Sequence, residues 1–271
     1  MNDHLKNAPL GQSTSYVCEY DPKQLFAIPR ANNWQGRGYV KAPFRGCDLW
    51  NAYELSWLNL RGLPQVAMAE FRFSCESPNI IESKSFKLYL NSFNLSRFAS
   101  ADQVRQHLLE DLSEVAGAPV TVAIQSLEAS ARIDQLKGEC LDQLDVEIEH
   151  YQPAPQLLRT IEGDRVEAQL YSHLLKSNCP VTGQPDWASI QIDYRGAPID
   201  KEGLLKYLVS YREQGDFHEQ CVEQIFLDIL DRCQPEQLSV YARYLRRGGL
   251  DINPFRSTEA FAPDNIRLVR Q

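Results

Sequence analysis

The sequence predicts an α+β protein built as two modules. Three observations carry that expectation. Stretches alternating apolar and polar residues, the mark of half-buried strands, occur in both halves of the chain, as do stretches with apolar residues at helical spacing. The two halves place them in a similar order, around a shared strand–helix–helix–strand plan. Pro153-Ala154-Pro155 and Glu162-Gly163-Asp164 interrupt the chain between them. The expected organisation is an N-terminal extension with loops over residues 1–50, a first module over 51–155 and a second over 156–271.

Residues 1 to about 20 are polar and expected to fray. Pro29 to Gly46 is rich in Arg, Asn and Gly without periodicity and reads as an irregular surface loop. Asp48–Leu58 is aromatic-rich and fits a strand or a short helix equally well. Leu63–Cys75 puts Ala67, Ala69, Phe71 and Phe73 on one side, a half-buried strand. Phe86, Tyr89, Leu90 and Phe93 then fall at helical spacing behind Ser83, with Lys84, Lys87 and Asn91 on another face. A second helix spans Asp102 to Val115 and stops before Gly117 and Pro119. Pro119–Leu127 and Leu144–Tyr151 both alternate and are expected to be strands. In the second half, Val166–Leu175 and Trp187–Tyr194 read as strands, Asp200–Arg212 and Phe217–Cys233 as helices, and Leu238–Leu245 as a strand.

Composition narrows the function. With 271 residues, 43% hydrophobic and 24% charged, the chain has the make-up of an ordinary globular protein. A net charge of -8 opposes direct, sequence-independent nucleic-acid binding, which depends on Lys and Arg neutralising phosphates. Charged residues break every apolar run well short of membrane-spanning length, so no membrane partner is expected. The opening Met1-Asn2-Asp3-His4 carries no sign of a secretory leader. Seven cysteines, odd in number and without a C-x-x-C pair, suggest neither a disulfide framework nor a zinc site, and no metal is expected. Free thiols point to the reducing cytoplasm.

Three stretches could carry chemistry. In Ser177-Asn178-Cys179-Pro180 followed by Gln184-Pro185-Asp186, the prolines and Gly183 stiffen a turn that begins at a thiol and ends at a carboxyl group. Such a pair could serve as nucleophile and proton donor, although taken alone a small buried cysteine and a turn aspartate is the more common outcome. Around Ser83, Lys84 and Lys87 a helix start could receive phosphate; a solvated lysine face is favoured locally. In Asp216-Phe217-His218-Glu219 a capping arrangement between Asp216 and Glu219 is slightly favoured over Glu219 accepting the N–H/NH₂ edge of a guanine-like base. Arg243, Arg246 and Arg247, followed by Gly248-Gly249, could hold phosphates. No dinucleotide-binding glycine fingerprint and no P-loop occur, so any nicotinamide nucleotide binds outside a Rossmann fold.

Taken together, Glu82-Ser83-Lys84-Ser85-Phe86-Lys87-Leu88-Tyr89, Ser177–Pro180 with Gln184–Asp186, and Phe217-His218-Glu219 resemble the QueF family of NADPH-dependent 7-cyano-7-deazaguanine reductases, in its long two-module form. The octapeptide agrees at every position with the family signature, and the likeness runs from about Tyr53 to Arg256. The resemblance implies a tandem T-fold, each module an antiparallel sheet backed by two helices, and a homodimer. It implies a place in queuosine biosynthesis, a tRNA-modification route, with reduction of the nitrile to a primary amine by two NADPH. By the same resemblance Cys179 would form a covalent thioimidate and Asp186 would act as general acid. Glu219 and His218 would meet the deazaguanine, Ile81, Glu82 and Ser83 would line its pocket, and Ser83, Lys84, Arg247 and Gly248 would contact NADPH. The rivals are a pterin- or purine-processing hydrolase of the same superfamily and a non-catalytic purine- or tRNA-binding module.

Overall fold

The computed structural model describes residues 17–128 and 133–271, so the polar opening stretch lies, up to residue 16, outside the described residues. The chain divides into two compact units, each assembled from separate segments. One comprises Met1–Asn32, Asp48–Ala131 and Arg246–Asp251; the other comprises Asn33–Cys47, Arg132–Leu245 and Ile252–Gln271.

The first unit is built on three neighbouring strands, β2 (Arg45–Leu58), β3 (Pro64–Ser74) and β5 (Val120–Gln125), in the order β5-β3-β2. The aromatic stretch from Asp48 therefore resolves as a strand. In β3 the alternation works as expected: Ala67, Ala69, Phe71 and Phe73 are buried, and Phe71 pairs with Val122 of antiparallel β5. Burying side chains of this size contributes about 1.5–3 kcal/mol each for the larger ones.

Two helices follow β3, α1 (Ser83–Ser92) and α2 (Ala101–Ala116), and α2 packs on β5. Ser100 accepts from the Gln103 N–H while the Gln103 side chain accepts from the Ala99 N–H, which satisfies two donors at the start of α2. Gly117, at φ 71°, ends the helix in the left-handed conformation that glycine adopts without penalty. The short strands β1 (Ala27–Pro29) and β4 (Asn79–Ile81) pair antiparallel and lead the chain into α1. Much of the stretch read as a surface loop is irregular, but it is anchored. Arg30 is buried against Asp48 at 2.8 Å, and Trp34 and Phe44 are buried too.

The second unit carries β7 (Val166–Ser172), β9 (Pro185–Gly196), β10 (Gln237–Tyr244) and β11 (Leu250–Ser257) in the order β7-β9-β10-β11, with every pair antiparallel. A two-residue strand β6 (Glu139–Cys140) adds to β7 in parallel, and β8 (Lys176–Asn178) pairs with the start of β9. Helices α3 (Lys201–Val209) and α4 (His218–Cys233) complete the unit, with α4 packed on β10. Cys221, Val222, Ile225, Phe226 and Ile229 form the buried face of α4, as the helical spacing predicts. Each unit thus has the antiparallel sheet and two helices expected of an α+β tandem T-fold.

One predicted strand is absent. Leu144–Tyr151 forms no strand among the described residues, its end held only by the Glu213 N–H donating to Tyr151 O at 3.0 Å, although Leu144, Val146 and Ile148 are each less exposed than the residues between them. Alternation there records a chain with one side half-covered, and half-covering needs no ladder of hydrogen bonds.

Candidate active site

The second unit presents its chemistry on one hairpin and one helix start. Ser177 of β8 faces Asp186 of β9 across the ladder, and Asn178 faces Pro185. Cys179, the first residue beyond β8, closes the turn: its N–H donates to Gln184 O at 2.8 Å, and its carbonyl accepts from the Gly183 N–H at 3.0 Å. Gly183 sits at φ 68°, a conformation that suits glycine, while Pro180 and Pro185 fix their own φ. The sequence expectation holds here, with the thiol where one strand ends and the carboxyl where the next begins. Both are shielded, Cys179 at 9% exposure and Asp186 at 4%.

The segment before α4 is tied to this hairpin by its backbone. Asn178 N–H donates to Gln214 O at 2.7 Å, and Asp216 N–H donates to Asn178 O. That registers the first turn of α4 against the turn holding Cys179. His218 Nε2 lies 3.3 Å from Asp186 Oδ1, and the imidazole is stacked on Tyr244 of β10, with ring centroids 3.9 Å apart and planes 15° from parallel. Glu219 follows, 2% exposed, where the positive end of the helix dipole favours a carboxylate. Beneath them the Cys221 thiol is fully buried, and burial pushes its pKa up to about 12.

The capping arrangement between Asp216 and Glu219 does not form. The N-cap residue of α4 is Phe217, and no side chain caps the helix. Asp216 instead accepts from the Gln214 side-chain amide at 2.5 Å, and burial raises its pKa. The local pattern misled because the backbone hydrogen bonds of Gln214 and Asp216 to Asn178 tie the segment to β8, and the helix starts one residue later than that pattern requires.

The first unit holds the basic residues. Glu82 is the N-cap of α1: it is fully buried, and its two carboxylate oxygens accept from the Lys84 and Ser85 N–H groups, each at 2.7 Å. Burial raises its pKa, and those two hydrogen bonds and Lys87 oppose the shift. The helix-start donors that could have received phosphate are therefore already engaged by Glu82, in line with the locally favoured reading. A cavity of about 250 Å³ lies alongside, lined by Glu54, Lys84, Lys87, Asn91, Gly248 and Gly249 among others. Ser83 and Arg247 do not line it. Gly249, at φ 74°, touches Glu54 so closely that a Cβ would fall 2.5 Å from the Glu54 carboxyl carbon. Arg246 stacks over Tyr53, its guanidinium carbon 3.9 Å from the ring centroid.

Arg243 does not belong with the exposed arginines. It is 1% exposed, held by Gln271, Tyr241 and Asn265, and serves the interior of the second unit. Its position on β10, a strand buried nearly throughout, decides that; the Arg-rich run gives no sign of it. Tyr244 was also missed, since nothing separates it in sequence from the other aromatic residues of a buried strand. No cluster of metal-ligating side chains occurs among the described residues.

Comparison with known proteins places this thiol-bearing α+β chain among the nitrile reductases, a class of oxidoreductase. The family model described as nitrile reductase, 7-cyano-7-deazaguanine-reductase N-term, matches residues 16–124, and the QueF-like protein model matches residues 185–262. The chain belongs to the QueF family. It is 58% identical over 271 residues to the NADPH-dependent 7-cyano-7-deazaguanine reductase of Bordetella pertussis strain Tohama I, covering 98% of this chain and 99% of that one. The enzyme of the same name from Albidiferax ferrireducens is 57% identical over 285 residues, again covering 98% and 99%.

Proposed function

We propose that this protein reduces 7-cyano-7-deazaguanine to its 7-aminomethyl counterpart with two equivalents of NADPH, and that Cys179, Asp186 and His218 perform the chemistry. One observation carries the assignment of residues: a thiol and a buried carboxyl group at the two ends of one rigid turn, with an imidazole nitrogen 3.3 Å from that carboxyl. The Cys179 thiol passes its proton to the Asp186–His218 pair as its sulfur adds to the nitrile carbon, forming a C–S bond, while the nitrogen takes a proton from Asp186 to give a thioimidate. Hydride addition to that carbon and protonation of nitrogen give a thiohemiaminal. The C–S bond then breaks with its electrons returning to sulfur, leaving a nitrogen-protonated imine, and a second hydride adds to its carbon to give the primary amine. His218, against Asp186, is placed to restore the proton that Asp186 gives up.

Glu219 reads the N–H/NH₂ edge of the deazaguanine, and Ile81, Glu82 and Ser83 contribute to the substrate's wall. Since the Glu82 carboxylate caps α1, its part is to hold that helix start rigid. Ser83, Lys84, Arg247 and Gly248 serve NADPH; Lys84 and Gly248 line the cavity, whose two lysines suit a phosphate. The family's place in queuosine biosynthesis, a homodimer and a cytoplasmic setting complete the reading. The net charge of -8 speaks against direct nucleic-acid binding, and seven scattered cysteines without a C-x-x-C pair fit a reducing compartment. The test is NADPH oxidation with 7-cyano-7-deazaguanine beside the analogue lacking the nitrile. Oxidation with the first alone is expected; oxidation with both, or with neither, would refute the reading.

A further inference from the structure

We infer that Tyr244 is a positioning residue for the reaction: its ring fixes the plane of the His218 imidazole and so holds the ring edge that carries Nε2 against Asp186. This deepens the function proposed above and rests on it. A histidine ring turns about a torsion with broad wells, so something beyond its own rotamer must hold the tilt of the ring. Hydrogen bonds cannot do it alone here. Nε2 has the single contact with Asp186 Oδ1 at 3.3 Å, long for a hydrogen bond, and Nδ1 is buried without a hydrogen-bond partner. What remains is the Tyr244 face, stacked at 3.9 Å and 15° over the imidazole. Planar contact of this kind resists tilting of the ring and leaves its edge free to exchange a proton.

Tyr244 is itself well held. It is fully buried, its backbone pairs with Ala188 of β9, and its carbonyl accepts from the Gln271 side-chain amide at 3.0 Å. The phenol oxygen makes no well-formed hydrogen bond; it lies beside Cys221 and Ser177, and burial drives its pKa well above the ordinary value. At any working pH the hydroxyl thus stays neutral, and the contribution of Tyr244 is its face. The two ring nitrogens of a histidine are distinct, and the partner of one sets the role of the other. With Nε2 directed at Asp186, a proton held there can pass to the carboxylate after each protonation of substrate nitrogen. A ring tilted out of that plane would carry Nε2 away from the Asp186 carboxyl.

The test is a double-mutant cycle read in single turnovers. Tyr244→Phe keeps the face and is expected to react close to wild type. Tyr244→Met fills the space with a flexible chain and no plane, and is expected to lower the reduction rate about 10- to 100-fold, the scale on which a small misplacement of a reacting group acts. In a His218→Asn background the same Tyr244→Met change is expected to cost nothing further, because a residue acting through His218 has nothing left to position. An equal loss in both backgrounds, or a loss in Tyr244→Phe matching that in Tyr244→Met, would overturn the inference. Should Tyr244→Met fail to fold, proton NMR of the unmutated protein decides. Imidazole signals missing from the His218→Asn spectrum must stand upfield through the ring current of Tyr244, and ordinary positions for them would refute the stack. The two readings fail separately: an unmutated protein that leaves NADPH unoxidised contradicts the proposed reaction, whereas the NMR result still judges the ring geometry.

Discussion

Replacing Asp186 by asparagine separates proton delivery from everything else the turn provides. The side chain is 4% exposed and sits second in β9, so an asparagine there keeps the shape and the place opposite Ser177. What is lost is the transferable proton and the charge facing His218 Nε2 at 3.3 Å. Asparagine thus removes the group proposed to protonate the substrate nitrogen while the rest of the turn stays in place. General acid assistance is worth about 10²- to 10⁴-fold, or about 2.7 to 5.4 kcal/mol of barrier. Turnover should fall within that range while substrate affinity changes much less. The assay measures NADPH oxidation, substrate binding by calorimetry and melting temperature on one preparation. A folded Asp186→Asn protein with near-normal turnover would remove Asp186 from the mechanism; lost turnover accompanied by an equal loss of stability would reduce it to a turn residue.

Two further outcomes follow from the same structure. Lys84→Ala and Arg247→Ala should each weaken NADPH binding about ten- to a hundredfold, since charge-assisted contacts contribute about 1.5–3 kcal/mol; fluorescence titration showing unchanged affinity in both would return them to the solvated surface. Stability should fall as pH rises above about 9. Burial holds the Cys221 thiol protonated up to about 12 and the Cys233 thiol up to about 11, whereas the unfolded chain ionises near the ordinary thiol value, so alkali draws the equilibrium toward unfolding. Urea unfolding at pH 8 and pH 10 measures this, and equal stability at the two would contradict the buried-thiol account.

Legibility from sequence tracked how local the cause was. The strand over Ala67–Phe73 and the helix that stops before Gly117 announce themselves because burial alternation, helical spacing and stop signals are written in neighbouring residues. The turn between Cys179 and Asp186 was readable for the same reason, its prolines and Gly183 acting on their own dihedrals. Leu144–Tyr151 alternates yet forms no strand, because pairing depends on a partner supplied from elsewhere. At Asp216 the local pattern for a cap was overruled by backbone hydrogen bonds to Asn178, 38 residues earlier. Arg243 and Tyr244 show the same limit. Whether an arginine faces solvent or Gln271, and whether a tyrosine is core filling or the bed of a histidine, is settled by contacts from distant parts of the chain.

The central claim is that Cys179 forms a covalent bond to the nitrile carbon, and intact-protein mass spectrometry tests it most directly. With 7-cyano-7-deazaguanine and no NADPH, the protein should gain one substrate mass per chain, and the gain should vanish in Cys179→Ala. With six other cysteines still present in that variant, the loss would single out this thiol. An adduct of the same mass persisting in Cys179→Ala would contradict the account.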